Sequence, residues 1–187
     1  NIRGNDIPCN PVVLSYLVLT ETESHLFIQE ETLNEKVKQY LADLGISLHP
    51  YDAVYDFVSG ITGKTILLEK AKVNYTICQS VMGSNTIVNV MNPASSLKAV
   101  KTPVEMENIR KAHIKDGVAV TRFVYWLKKN IGKIPMDEVS VAEKLESFRK
   151  EQEGFIEPSF GTISAYGPNA AMCHYQATKD NFSVLQP

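Results

Sequence analysis

Short apolar runs alternate with amphipathic segments through the first half of the chain, and this alternation limits the possible folds more than any other feature. The runs are rich in β-branched residues, which is typical of strands. The predicted strands cover residues 12–20, 25–29, 46–50, 65–69 and 86–92. Apolar residues recur at helical spacing between them, and the predicted helices cover residues 33–44, 51–61 and 74–82. Strands that alternate with helices predict an α/β domain of packed layers.

The first strand, VVLSYLVLT at residues 12–20, is almost wholly apolar, so we predict that it is largely buried. A polar turn separates it from residues 25–29, and we expect the two segments to pair as a hairpin. Thr32 can cap the start of the next helix, and Gly45 can end it.

A segment rich in Pro, Ser and Lys at residues 92–103 predicts a linker, and we place the domain boundary between residues 98 and 99. A long amphipathic helix should follow at once. Thr102 is placed to be its N-cap, Pro103 its first residue and Glu105 the partner in a capping box.

The second half predicts two helices and then a hairpin. Gly132 ends the first helix, and either Asp137 or Ser140 could cap the second. The stretch FGTISAYGPNAAMCHYQAT at residues 160–178 predicts a strand, a Gly-Pro-Asn turn and a second strand that carries His174.

Charge and hydropathy argue against nucleic-acid and membrane partners. The 187 residues include 19 Lys and Arg against 21 Asp and Glu, a formal net charge of −2. No basic field is present to attract a polyanion, and no apolar run is long enough to span a bilayer. Cys9, Cys78 and Cys173 are scattered without a CxxC pair, which favours packing residues in a reducing compartment.

His174 has two interpretations, a packed histidine or an active-site residue, and the residue pattern alone favours packing. His25, His49 and His113 lie in unrelated predicted elements, and His113 is expected to be structural. We expect the carboxylates in or beside the two later helices to be solvated or to cap those helices. These are Asp116, Glu138, Glu143, Glu146, Glu151 and Glu153.

Three stretches, NIRGNDIPCNPVVLSYLVLT, SLKAVKTPVEMENIRKAHIKDGVAV and SFGTISAYGPNAAMCHYQAT, carry a family resemblance. In this order they resemble the middle domain, the linker with the first catalytic helix, and the first catalytic hairpin of three-domain Xaa-Pro aminopeptidases (aminopeptidase P). The resemblance implies an α/β (α+β) fold class. Residues 1–98 would be part of a creatinase-like N-terminal α/β domain, and residues 99–187 the first helices and hairpin of a pita-bread catalytic domain.

The resemblance also implies a function. The family consists of cytoplasmic enzymes, commonly homodimers, that remove the N-terminal residue from peptides with proline second. They use two divalent metal ions, usually manganese, which can hold a bridging hydroxide and polarise the scissile carbonyl. His174 corresponds to a substrate-contacting histidine that stabilises the tetrahedral intermediate, and Tyr175 is placed beside it as a substrate-binding residue.

By the same resemblance, all five metal ligands would follow Pro187, so we expect no metal ligand in this chain, no metal bound to it and no activity from it alone. Two alternatives stay open. One is a metal-free hydrolase of the same fold, like creatinase, and the other is a non-catalytic binding or assembly module.

Overall fold

The computed structural model describes residues 3–187 of the 187-residue chain. The chain folds as two compact units, Asn1–Val100 and Lys101–Pro187. Both helices and strands are present, so the predicted mixed fold class is confirmed. In the described part of the chain, no helix has the length and apolar character needed to cross a membrane.

A three-stranded sheet organises the first unit. Strand β1 (Ser15–Leu19) pairs antiparallel with β2 (Ser24–Ile28), which confirms the predicted hairpin. Strand β3 (Ile46–Pro50) pairs parallel with the other edge of β2. The strand order is therefore β1-β2-β3, with β2 in the centre.

The prediction that the first strand is largely buried is wrong, because β1 lies at the edge of the sheet. Leu17 is 56% exposed and Leu19 is 65% exposed. The buried strand is β2, where Phe27 and Ile28 are 0% exposed. A run of apolar residues indicates a strand but does not say whether that strand lies at the centre of a sheet or at its edge.

Successive side chains of β2 enter two different cores, because side chains alternate between the faces of a strand. Phe27 packs with apolar residues of helices α2 (Val54–Ser59) and α3 (Tyr75–Met82). Leu26 and Ile28 pack with Leu33 and with Leu41 of helix α1 (Glu35–Asp43).

The two ends of α1 test the predicted helix cap, Thr32, and the predicted helix terminator, Gly45. Asn34, not Thr32, is its N-cap, and the Asn34 side chain accepts a hydrogen bond from the backbone N–H of Val37. Gly45 follows the helix with φ of +70°, as expected for a glycine that ends a helix.

A second, two-stranded parallel sheet joins β4 (Thr65–Leu67) to β5 (Thr86–Val88).

The segment predicted as a linker contains a short helix, α4 (Pro93–Ala99). Asn92 caps this helix through its side chain, and proline occupies the first turn, where a backbone N–H would have no helical partner. These two residues start a helix despite the polar composition. The domain boundary that we placed between residues 98 and 99 stays a prediction.

Two helices form the start of the second unit. Helix α5 (Pro103–Asn130) begins with the predicted capping box of Thr102 and Glu105. At the start of helix α6 (Glu138–Lys150), Asp137 is the N-cap and Ser140 its reciprocal partner, so both candidate residues take part in one capping box. Ion pairs between Arg149 and Asp116 and between Arg122 and Glu151 join the two helices.

Residues 160–178 differ from the predicted hairpin. A 3₁₀ helix, Gly167–Ala171, occupies the expected Gly-Pro-Asn turn, and the flanking residues form no strand. Described strand pairings in this region are single bridges, between Thr178 and Asn181 and between Asp137 and Val184. An isolated two-stranded hairpin is only marginally stable without a third strand or a packed helix.

Candidate active site

His174 occupies a strained position on an exposed turn. The backbone N–H of Tyr175 donates to the carbonyl oxygen of Met172 at 3.4 Å, which closes a turn with His174 as its third residue. His174 has φ of +58°, and Cys9 is the other described non-glycine residue with positive φ. This backbone conformation costs a side chain with a Cβ roughly 1–2 kcal/mol. The imidazole is solvent-exposed, so the interpretation as a packed core histidine is wrong.

Tyr175, the next residue, has the opposite environment. Its side chain is only 8% exposed, and its hydroxyl donates a hydrogen bond to Oε2 of Glu138 at 2.7 Å. The turn therefore joins an exposed imidazole directly to a ring anchored in the interior of the second unit.

Glu138 is the centre of this interior. It is the first residue of α6, and its side chain is completely buried. Because Asp137 supplies the N-cap, the Glu138 carboxylate is free to bind other groups. Its oxygens accept hydrogen bonds from the backbone N–H of Tyr166 at 2.6 Å and of Ser183 at 2.8 Å.

Asn169 connects the members of this cluster. It lies in the 3₁₀ helix, and its Nδ2 is 3.1 Å and 3.2 Å from the two carboxylate oxygens of Glu138. The same atom is 2.9 Å from both the Tyr175 hydroxyl and the Ser183 hydroxyl. We call Glu138, Tyr166, Asn169, Tyr175 and Ser183 the Glu138 cluster.

The Glu138 carboxylate is ionised at neutral pH. Burial raises the pKa of this carboxyl, but hydrogen bonds from Tyr175, Ser183, Tyr166 and Asn169 outweigh burial and lower the pKa to about 2. The hydrogen bond to Glu138, together with burial, raises the pKa of the Tyr175 hydroxyl, which stays protonated. A carboxylate with so low a pKa is a poor general base, so its chemical role is to accept hydrogen bonds.

Backbone pairing fixes the chain on the far side of the cluster. The N–H of Glu138 donates to the carbonyl of Ser183 at 3.1 Å, and the N–H of Leu185 donates to the carbonyl of Met136 at 2.9 Å. Residues 136–138 and 183–185 therefore run together as a short ladder. The carboxylate binds this ladder, the 3₁₀ helix and the His174 turn.

The expectation that Glu138 is a solvated or capping carboxylate is wrong. No local pattern distinguishes it from the other acidic residues of α6, because its donors come from residues 28 to 45 positions later in the chain. The surface interpretation holds for the acidic residues that form exposed or partly exposed ion pairs, namely Asp116, Glu146, Glu151 and Glu153.

The structure also brings together two histidines that we placed in unrelated elements. His25 on β2 and His49 on β3 approach with Nδ1 and Nε2 3.1 Å apart, and Nε2 of His25 is 3.2 Å from a Glu23 carboxylate oxygen. Their rings pack against Phe27 and Phe57, which indicates a structural aromatic cluster. His113 lies on α5, and its Nδ1 is 2.9 Å from the carbonyl oxygen of Ile109 one turn earlier.

Among residues 3–187, no group of three or more His, Cys, Asp or Glu side chains is arranged to hold a metal ion. The Glu138 carboxylate offers oxygen donors, but its lone pairs already accept from four residues. The side chains of the Glu138 cluster therefore do not fit a dinuclear metal centre.

Comparison with known families divides the sequence into two matches. Residues 1–105 match the Creatinase/Prolidase N-terminal domain, and residues 107–187 match Metallopeptidase family M24.

The whole chain also aligns with curated relatives. It is 36% identical over 203 residues to a probable Xaa-Pro aminopeptidase P of Paracoccidioides brasiliensis (strain Pb18). It is 35% identical over 199 residues to a protein of the same description from Neurospora crassa. Each alignment covers 100% of this chain but only 33% and 29% of the relative. The chain thus spans about a third of the length of these relatives.

Solved structures agree with the sequence matches. An X-prolyl aminopeptidase from Caenorhabditis elegans, described as a cytosolic enzyme with a di-nuclear active site, superposes with a TM-score of 0.87 at 29% identity. That superposition covers 98% of this chain and 31% of the worm enzyme. A Xaa-Pro dipeptidase from Bacillus anthracis has a TM-score of 0.62 at 17% identity over 94% of this chain and 48% of the dipeptidase, which shows a shared fold.

Proposed function

The chain belongs to the family that joins a creatinase/prolidase N-terminal domain to a family M24 metallopeptidase domain, and we propose that it is part of a Xaa-Pro aminopeptidase. The reaction is hydrolysis of the N-terminal peptide bond in substrates whose second residue is proline. The observation that carries this proposal is the correspondence of the entire chain, in sequence and in structure, to enzymes described by that activity.

Within this enzyme, His174 is the residue of this chain that acts on substrate. Its exposed imidazole can donate a hydrogen bond to the oxygen that becomes negative in the tetrahedral intermediate. Tyr175, which we predicted to bind substrate as well, has its hydroxyl committed to Glu138 inside the protein. That contact supports a role for Tyr175 in holding the turn.

Two divalent metal ions, with manganese as the proposed identity, would supply the activated hydroxide and polarise the carbonyl. The di-nuclear site of the worm enzyme supports two ions. We propose that their ligands lie in the part of the longer relatives that this chain does not match, and that the 187-residue chain alone is inactive.

Two further proposals concern the longer protein. We propose that it is cytoplasmic, which the description of the worm enzyme as cytosolic supports. We also propose that it is a homodimer, which rests on the family resemblance alone. Sedimentation of the longer protein would test the dimer.

The test of function is hydrolysis of a short peptide with proline second, in the presence of Mn²⁺. The 187-residue chain is compared with a longer protein that extends it through the rest of the catalytic domain. Activity only in the longer protein supports the proposal. Activity in the short chain would contradict our placement of the metal site, and inactivity of both would favour the metal-free or non-catalytic alternatives.

A variant pair then tests the role of His174 in the longer protein. His174→Ala should lower kcat by roughly 10²–10³-fold, the range for loss of one oxyanion donor, while the metal content stays unchanged. His113→Ala is the matched control, because this histidine is exposed on α5 and contacts only its own helix among the hydrogen bonds described. Equal activity of both variants would remove His174 from the mechanism.

A further inference from the structure

The segment that carries His174 is held at both of its ends by one carboxylate. Tyr166, just before the 3₁₀ helix, donates its backbone N–H to Oε1 of Glu138 at 2.6 Å. Tyr175, just after His174, donates its hydroxyl to Oε2 of the same carboxylate at 2.7 Å. Residues 166–175 therefore form a loop whose two ends are both bound to Glu138.

The conformation of His174 requires such a constraint. A non-glycine residue leaves the left-handed region when its neighbours are free, because its Cβ approaches the following carbonyl oxygen. In this turn the following residue cannot move freely, since the Tyr175 ring is buried and its hydroxyl is bound. Asn169 fixes the preceding part of the loop to the same carboxylate.

We propose that Glu138 is a positioning residue for His174: it holds both ends of the 166–175 loop and so sets where the imidazole is presented to substrate. This inference rests on the proposed function, in which His174 acts on the reacting peptide. The described partners of Glu138 are protein groups, and its effect reaches the reaction through Tyr175 and the turn.

A carboxylate suits this role better than an amide would. The groups that converge on Glu138 are all donors: two backbone N–H groups, one amide NH₂ and one phenol hydroxyl. An ionised carboxylate has only acceptor sites, so it can match all of them. In Glu138→Gln the new NH₂ group would face one or more of these donors, and the loop should lose one of its attachments.

The first measurement reads the loop without using activity. In the 187-residue chain, the Cε1–H proton resonance of His174 is identified by its loss in His174→Ala. We expect a narrow resonance in the wild type and a shift toward the position of an unstructured histidine in Glu138→Gln. The resonances of His25 and His49 should not move. Glu143→Gln, the same substitution at an exposed position of α6, should leave all four histidines unchanged.

The second measurement is a double-mutant cycle in the longer, metal-loaded protein. Glu138→Gln should lower kcat by roughly 10–100-fold, as expected for a misplaced catalytic group, with KM within about twofold of wild type. In a His174→Ala background, the same Glu138 substitution should change kcat less than about twofold, because there is no imidazole left to position. A merely structural role would give losses that multiply.

The outcomes separate the two proposals. A Glu138→Gln variant that matches Glu143→Gln in both measurements, or losses that multiply in the cycle, would overturn the positioning role. If the wild-type longer protein fails to cleave Xaa-Pro peptides, the proposed function fails, and the His174 resonance still decides whether Glu138 holds the turn. If Glu138→Gln does not fold, Tyr175→Phe keeps the ring, removes one donor and must show the same non-additivity with a smaller loss.

Discussion

At the scale of single residues, two features linked through Tyr175 define the candidate site. They are the positive φ of His174 and the buried charge of Glu138. A strained backbone angle and a buried ion each cost free energy, so each has to be maintained by the rest of the structure. Here the buried carboxylate accepts the hydrogen bond from Tyr175 that holds the strained turn. The hydrogen bond between Tyr175 and Glu138 therefore offsets both the strain at His174 and the burial of the Glu138 charge.

The strain at His174 can be measured by comparing two substitutions. His174→Gly should leave the second unit more stable than His174→Ala by about 1 kcal/mol, because glycine adopts positive φ without a Cβ clash. Met172 has φ of −93°, so at this control position alanine should be the more stable substituent. The measurement is urea unfolding followed by the fluorescence of Trp126, the single tryptophan. Equal stability of the two His174 variants would show that the turn is unstrained.

The charge of Glu138 predicts a pH dependence of stability. The pKa of this carboxyl falls from an ordinary 4.5 to about 2 on folding, so the unfolded chain binds the proton more readily. The stabilisation is therefore complete above pH 4.5 and is lost as the pH falls toward 2. The urea midpoint of Glu138→Gln should lie below that of wild type by a constant amount above pH 5.

That difference in urea midpoint should narrow progressively below pH 4.5, as measured with Trp126 fluorescence. Other carboxyls with lowered pKa values, Glu69 and Glu105, contribute equally to both proteins and cancel in the difference. Glu143→Gln should follow the wild type throughout. A difference that stays constant down to pH 2.5 would contradict an ionised Glu138.

At the scale of secondary-structure elements, helix caps join near neighbours in sequence, whereas the burial of a strand depends on distant ones. The capping boxes at Thr102 and Asp137 both join residues three positions apart. The sequence predicted the first, and for the second it offered Asp137 and Ser140 as alternative caps. Whether β1 or β2 is the buried strand depends on which one acquires two neighbours, and β3 supplies the second neighbour of β2.

The edge position of β1 and the central position of β2 predict unequal effects of substitutions in the two strands. Phe27→Ala on β2 should destabilise the first unit by about 3–5 kcal/mol, because the ring is fully buried between helices and sheet. Leu17→Ala on β1, where the side chain is 56% exposed, should cost less than about 1 kcal/mol. Urea unfolding followed by circular dichroism measures both. A larger loss of unfolding free energy for Leu17→Ala than for Phe27→Ala would show that β1, not β2, is the buried strand.

At the scale of the whole molecule, two compact units correspond to about a third of the length of the aminopeptidase relatives. The first unit lies within the creatinase/prolidase match, and the second carries the Glu138 cluster within the M24 match. Under the proposed function this part of the enzyme supplies His174, and the described residues bring no three donor side chains together to hold a metal ion.

This division predicts the behaviour of the chain toward metal. By isothermal titration calorimetry, Mn²⁺ should show no stoichiometric binding to the 187-residue chain, because no three donor side chains within residues 3–187 converge on one point. The longer protein should take up two ions per chain in the same experiment. Stoichiometric binding to the short chain would place metal ligands within this sequence and contradict the proposed location of the centre.

Contacts between near neighbours and similarity to known proteins were enough to predict the mixed fold class, the β1–β2 hairpin, the long capped helix and the family. The buried role of Glu138, the pairing of His25 with His49, and the 3₁₀ helix in place of a hairpin depend on contacts that form only in the folded chain. The difference arises from how far apart along the sequence the hydrogen-bonding residues lie. A cap joins residues three positions apart, whereas the donors to Glu138 reach it from as far as Ser183, and only the folded chain brings them within hydrogen-bonding distance.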